Sequence, residues 1–262
     1  LSSTTASFRN NFFFQCIQRF LLIHPCNLFI SKRTGDASFG DLIDEGYLPE
    51  AVINYIAMLG WNPGNDEEIF TMDELIEKFS PEKIGRSNAV FSKDKLTWLN
   101  SQHIKRLDPE KFHSIAEKYY SDELRAAVDV RRVSGIIQGR LDKFTDIPGM
   151  VRFLISVDEY TEEAFFHKKM KSNTETSLEY LQKIIPVFEK LEEWNNDTIF
   201  NAMNELIEKE GCKKGKVLWP VRIALTGLKA SPGGGSEVAE LIGKEETLKR
   251  ISDAVGFLKT KA

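Results

Sequence analysis

The chain has 262 residues, 42% hydrophobic and 28% charged, with 39 acidic against 35 basic residues and a formal net charge of −4. That length accommodates one to three domains with a full apolar core, and the composition is neither collagen-like, disulfide-rich nor disordered. The charge excludes a uniformly basic nucleic-acid binder, but not one that gathers its positive charge on a single face.

Residues 1–29 differ in character from the rest of the chain. They contain Arg9 and Arg19 and no acid, so the remainder carries −4 − 2 = −6. Basic, Ser/Thr-containing and acid-free composition is that of an organellar transit peptide. The other reading, preferred here, is a segment foreign to the original reading frame or replacing a lost N-terminal domain.

From residue 40 onward the pattern predicts helix after helix. Pro49 opens a helix over "PEAVINYIAMLG", with Val52, Ile53, Ile56 and Leu59 on one face and Gly60 as its stop. Thr71 and Glu74 form a capping box ahead of Leu75, Ile76 and Phe79. Asp108-Pro109 starts a further helix with Phe112, Ile115, Ala116 and Tyr119 at helical spacing. "SDELRAAVDVRRVSGIIQGRL" continues in that style, with Leu124, Val128, Val133 and Ile136 or Ile137 inward. Thr176 and Glu179 predict a second capping box. Ile199, Met203, Leu206 and Ile207 make a stripe closed by Gly211, Pro220 introduces "VRIALTG", and "SEVAELIG" ends at Gly243. Apolar/polar alternation is scarce, so no strand is needed for the core. Breakers at 106–111 and 167–177 mark the expected boundaries.

No stretch approaches the roughly 20 apolar residues that span a bilayer, so no membrane protein is expected. Cys16, Cys26 and Cys212 lack metal-ligand spacing and read as free thiols in a reducing compartment. His24 falls in the leader. His103, His113 and His167 are scattered without nucleophile or metal spacing, so surface or half-buried roles are expected and no metal site. "GGG" at 233–235 reads as a turn.

Basic residues do cluster: Arg131, Arg132 and Arg140; Lys168, Lys169 and Lys171; Lys213, Lys214 and Lys216. Each run is either a solvated face or an anion contact. Arg222 is sharper, because it lies among apolar neighbours in "WPVRIALTG" and must either pair internally or be presented on purpose. An arginine so presented suits unstacked RNA bases, on which its planar guanidinium stacks and donates parallel hydrogen bonds.

"SKRTGDASF", "GYLPEAVINYIAMLGWNPG", "NAVFSKDKLTWLNSQHIK", "WPVRIALTG" and "LIGKEETLKRI" succeed one another as in bacterial-type glutamyl-tRNA synthetase. The resemblance to this class I aminoacyl-tRNA synthetase family runs from about Ile30 to the C-terminus. It implies an all-α, elongated body: a helical stem-contact domain over 30–108 and anticodon-binding domains over 109–174 and 175–262, after the unassigned leader 1–29. Ser31, Lys32 and Arg33 resemble the end of the family's "KMSKR" loop, with Lys32 facing the ATP phosphates as pyrophosphate leaves. Phe29 replaces the loop's first lysine, and about 29 residues cannot hold a doubly wound nucleotide-binding domain.

The resemblance further implies that Arg140 reads the third anticodon base and that Arg222 sits at the anticodon. Gly234 falls beside it, where some relatives carry leucine. Trp98 and Asn100 belong to a strong family motif, with core packing the expected role of Trp98. The family attaches glutamate to tRNA using ATP and Mg. This chain alone is expected to bind tRNA-Glu, or also tRNA-Gln, as a cytoplasmic monomer, without DNA or membrane and without activating glutamate or needing a cofactor. A mitochondrial or plastid location is implied if the leader is a transit peptide. The alternative is a synthetase-derived helical protein-interaction module that has lost tRNA binding.

Overall fold

Ser38 opens α1 (Phe39–Asp44) with a reciprocal cap: its Oγ accepts from the Asp41 amide, and the Asp41 carboxylate accepts from the Ser38 amide. The computed structural model describes residues 38–85 and 91–261. Ser31, Lys32 and Arg33, with Phe29, Cys16, Cys26 and His24, lie outside the described residues. Within them the fold is all-α, as expected. The extended pairings among described residues are two isolated bridges, Trp61 with Ile84 and His167 with Ser172.

Two compact units divide the chain: residues up to Ile115 with Gln138–Asp146, and Ala116–Ile137 with Ile147–Ala262. The first contains α1, α2 (Pro49–Gly60), α3 (Met72–Lys78), α4 (Lys93–Arg106) and most of α5 (Pro109–Ala116). Proline stands at the start of α2 as predicted, where its missing N–H costs nothing. The buried face of α2 is rotated from the expected stripe: Asn54 and Tyr55 are inside, whereas Ile53 and Leu59 are half-buried. Asn54 holds that place by serving three groups. Its Oδ1 accepts from the Phe70 amide (2.9 Å) and lies 2.9 Å from His103 Nε2, while its Nδ2 donates to the Glu68 carbonyl (3.2 Å). Because that oxygen can only accept, His103 presents Nε2–H to it, and burial pulls the imidazole below its usual pKa. Thr71 and Glu74 form the expected capping box ahead of α3.

A return segment completes this unit. Asn100, fully buried on α4, accepts from the Leu48 amide (2.8 Å) and donates to the Asp142 carbonyl (2.6 Å). Gly46 (φ +91°) lets the chain approach so closely that a Cβ there would stand 2.7 Å from the Thr145 nitrogen. Phe144 then packs on Phe112 with ring centroids 5.5 Å apart. Trp98, expected in the core, is instead 41% exposed beneath the Lys95 ammonium, 4.1 Å from its ring centroid. Its neighbours Leu99 and Asn100 take the buried positions, and the helical turn carries residue 98 to the outer face.

The second unit comprises α6 (Asp122–Ala127), α7 (Val130–Ile137), α8 (Ile147–Val151), α9 (Glu162–Phe165), α10 (Thr174–Glu189), α11 (Asn196–Lys209), α12 (Gly215–Thr226) and α13 (Gly235–Lys259). The stripe on α11 is buried as predicted, and Gly211 after it is left-handed (φ +60°). Two helix starts differ from expectation. The capping box of α10 is Asn173 with Thr176, not Thr176 with Glu179: Asn173 Oδ1 accepts from the Thr176 amide (2.8 Å) and Thr176 Oγ1 accepts from the Asn173 amide (2.9 Å). Asparagine outcompetes a threonine already inside the first turn, and Glu179 pairs instead with Lys183 one turn on (2.7 Å). Pro220 lies inside α12 rather than at its start. The backbone is already helical at Lys214, so proline merely removes one internal hydrogen bond. Gly243 (φ +81°, ψ 167°) ends the predicted helix locally, but the chain resumes directly and α13 runs on across a kink.

One side chain ties this unit together. Arg250, 3% exposed, uses all five guanidinium N–H groups. It donates to the carbonyls of Phe153 (2.7 Å), Leu154 (3.2 Å), Ile155 (3.2 Å) and Leu225 (2.8 Å), and to Glu246 Oε1 (2.8 Å). These carbonyls close the turn after α8 and the last turn of α12, where helices leave acceptors without intrahelical partners. Arg250→Met keeps the aliphatic bulk and strands the acceptors. It should lower the unfolding free energy by about 3 kcal/mol or more, read by urea titration; an unshifted midpoint would contradict this account.

Candidate functional site

Arg222 answers the question its sequence posed. It sits half-buried on α12 between fully buried Val221 and Ile223, and its guanidinium has no hydrogen bond or ion pair with any described residue. Its backbone carbonyl is held by Thr226 Oγ1 (2.7 Å), and α12 ends one residue later at left-handed Gly227 (φ +69°). A cation fixed at its base and unpaired at its tip is presented outward.

The three-glycine turn lies against the same stretch. A Cβ on Gly235 would stand 3.4 Å from Val221 Cγ1 and 3.6 Å from the Arg222 nitrogen, so the turn packs on α12 at close backbone range. Gly233 needs its glycine: φ is +83°, and a Cβ would crowd Ile136 Cγ2 at 3.2 Å. Gly234 does not. Its backbone is extended (φ −80°, ψ 171°), its amide donates to Glu237 Oε2 (2.5 Å), and a Cβ would meet only that carboxylate oxygen, at 3.5 Å. The structure therefore seats the turn that carries Gly234 on the α12 backbone at Val221 and Arg222, through Gly235.

The other basic residues separate by role. Arg132 is committed to the fold through an ion pair with Glu240 on α13, which holds that carboxyl below its usual pKa. Arg140 is exposed, in a 3-10 turn (Gln138–Arg140) of the first unit. The first residue of that turn, Gln138, is anchored by donating to the Ile104 and Leu107 carbonyls (3.1 and 2.8 Å). His103 and His167 are half-buried as expected. His167 lies edge-on to Trp219, with ring centroids 4.3 Å apart. Among described residues no group of three or more His, Cys, Asp or Glu side chains is placed to hold a metal ion.

The family model for the anticodon binding domain matches residues 104–255, more than half of the chain. The chain belongs to this anticodon-binding family. A second family model, the catalytic domain of class I tRNA synthetases for glutamate and glutamine, matches residues 12–98. That match starts inside the leader, in residues outside the described part.

Curated relatives agree with the sequence resemblance to glutamyl-tRNA synthetase. The chain is 46% identical to the glutamate–tRNA ligase of Clostridium kluyveri over 233 residues, which is 89% of this chain and 48% of that protein. It is 44% identical to the glutamate–tRNA ligase of Clostridium tetani over 88% of this chain and 48% of the relative. Among solved structures, a glutamate tRNA ligase from Elizabethkingia meningosepticum superposes with a TM-score of 0.71 at 31% identity, covering 87% of this chain and 45% of that one. The chain thus spans about half the length of the relatives it matches.

The contrast between adjacent glycines is directly measurable in this family member. Gly234→Leu should leave the thermal unfolding midpoint almost unchanged. Gly233→Ala should cost about 1–2 kcal/mol, because it forces an L-residue into left-handed backbone. Equal destabilisation by both substitutions would mean the turn is not the one described.

Proposed function

We propose that this chain binds tRNA-Glu, with Arg222 and Gly234 at the anticodon and Arg140 reading a further anticodon base. The observation that carries the reading is the Arg222 guanidinium, held on a rigid helix without an internal partner, in a chain that matches the anticodon-binding family. A half-buried arginine without a carboxylate contributes little to a fold selected for stability alone, and it gains a planar acceptor when an unpaired base is placed over it.

Gly234 leaves an open space next to that arginine, where a larger side chain would fit without backbone strain. Its role in this reading is steric, setting how closely a base approaches Arg222. Acceptance of tRNA-Gln beside tRNA-Glu would turn on such space.

Class I synthetases use ATP and Mg, and Lys32 with Ser31 and Arg33 is the proposed contact to the ATP phosphates in the full-length reaction. The catalytic-domain match is confined to residues 12–98, and within them Ser31–Arg33 is the stretch that resembles the ATP-site loop. Glutamate-dependent ATP–pyrophosphate exchange by this chain alone is therefore not expected, and measurable exchange would overturn that expectation.

Fluorescence titration tests the binding proposal. Arg222→Ala and Arg140→Ala should each weaken tRNA-Glu binding by about 1–3 kcal/mol, the value of one bidentate base contact in the DNA case, and should narrow the preference over an unrelated tRNA. Wild-type affinity equal for both tRNAs, with no loss in either variant, would refute it.

A further inference from the structure

The two lysine runs that sequence left ambiguous are not two features. They belong to one surface of the second unit, built from the turn after α9 and the start of α12. Residues 167–172 form a tight turn: the His167 and Ser172 amides and carbonyls exchange hydrogen bonds (2.9 and 3.2 Å), and the Lys171 amide donates to the Lys168 carbonyl (3.3 Å). Lys171 is left-handed (φ +55°), the one such non-glycine among described residues.

Three contacts seat that turn on α12. Trp219 Nε1 donates to the Ala164 carbonyl (3.0 Å), and the His167 ring stands edge-on to the Trp219 indole. Gly215 then admits the turn at backbone range, since a Cβ there would come within 2.7 Å of Met170 Cβ and 2.8 Å of its Cα and carbonyl oxygen. The lysines around Gly215 are thereby set beside those around Met170.

Lys168, Lys169, Lys171, Lys213 and Lys214 are exposed, and Lys216 is half-buried with its ammonium 5.9 Å from the Tyr180 ring centroid. None of the six forms an ion pair with a described residue. Of the nearby carboxylates, Glu210 pairs with Lys183 (2.5 Å), and Glu162 accepts from Thr174 (2.8 Å). Holding like charges together on a rigid turn is unfavourable without an anion to neutralise them. Two apolar side chains stand in the same run: Phe166 is 60% exposed and Met170 40%. An exposed aromatic ring amid unpaired lysines is the combination that binds single-stranded nucleic acid, with bases stacked on the ring and phosphates on the ammonium groups.

We infer that this surface is a second RNA contact, separate in chemistry from the base-reading arginine, that holds the backbone of an unpaired RNA segment and stacks a base on Phe166. It rests on the reading that the chain binds RNA. It adds a sequence-independent contribution to binding, because phosphate contacts position without specifying.

The test compares wild type with the combined variant Lys168→Gln, Lys169→Gln, Lys213→Gln, Lys214→Gln and with Phe166→Ala. All should unfold at the same temperature. Each binds two probes, tRNA-Glu and unstructured polyuridylate, across a salt series. The combined variant should bind both probes about tenfold or more weakly at 0.1 M salt. Its plot of log affinity against log salt should be flatter by roughly 2 to 3, given about 0.7 per lost phosphate contact on single strands. Its preference for tRNA-Glu over an unrelated tRNA should persist. Phe166→Ala should weaken both probes severalfold with the slope unchanged.

Unaltered affinity and slope in the combined variant overturn the inference while leaving the anticodon reading to Arg222→Ala. A wild-type chain that binds polyuridylate through these lysines yet shows no tRNA preference supports the surface and sinks the anticodon reading. Binding of phosphatidylserine vesicles but of neither RNA overturns it in favour of a membrane surface.

Discussion

The second unit depends on a single buried cation. Four main-chain carbonyls from two chain turns converge on the Arg250 guanidinium, and no apolar side chain could occupy that point without leaving them bare. The turn after α8 and the end of α12 are thus fixed relative to α13 by hydrogen bonds, not by shape alone. Tyr160 adds to the same node, its hydroxyl within reach of the Ala224 and Arg250 carbonyls (2.8 and 3.1 Å) and its ionisation suppressed by burial. Since α12 also carries Arg222, the candidate site stands on a helix whose last turn is tied into this interior network.

The two arginines make opposite use of one chemistry. Arg250 is satisfied on every N–H and faces inward; Arg222 leaves its donors unused at the surface of the same unit. Asn54 and Asn100 play the satisfied role in the first unit, each closing several backbone groups that would otherwise be buried alone. Polar residues in this protein are therefore divided between those that complete the fold and those held back from it. Hydrogen-bond partners separate the two kinds where burial alone does not.

Much of the architecture was legible in the sequence because it is local. The α11 stripe, the Thr71–Glu74 box, Pro49 at a first turn and Gly211 as a stop depend on neighbours within a few residues, and these appear as read. The failures share a cause as well. Asn173 displaced Thr176 as cap because both residues fit the motif and only the realised register chooses between them. Core packing is the expected role of Trp98, yet helical phase puts Leu99 and Asn100 inside instead. Of the site, Arg222 stood out by context, and Gly234 only through the family resemblance. The union of the lysine runs could not be read, since it rests on Gly215 meeting Met170 across some 45 residues.

Gly46 has a consequence beyond packing. By letting residues 144 and 145 dock at backbone range, it draws the segment Gln138–Asp146 back into the first unit after the chain has already contributed Ala116–Ile137 to the second. The polypeptide therefore visits the two units alternately, and no single scission yields both intact. During vectorial synthesis the N-terminal unit cannot close until Asp146 has left the ribosome. By then a piece of its neighbour is already waiting, so the two maturation events are chained in time.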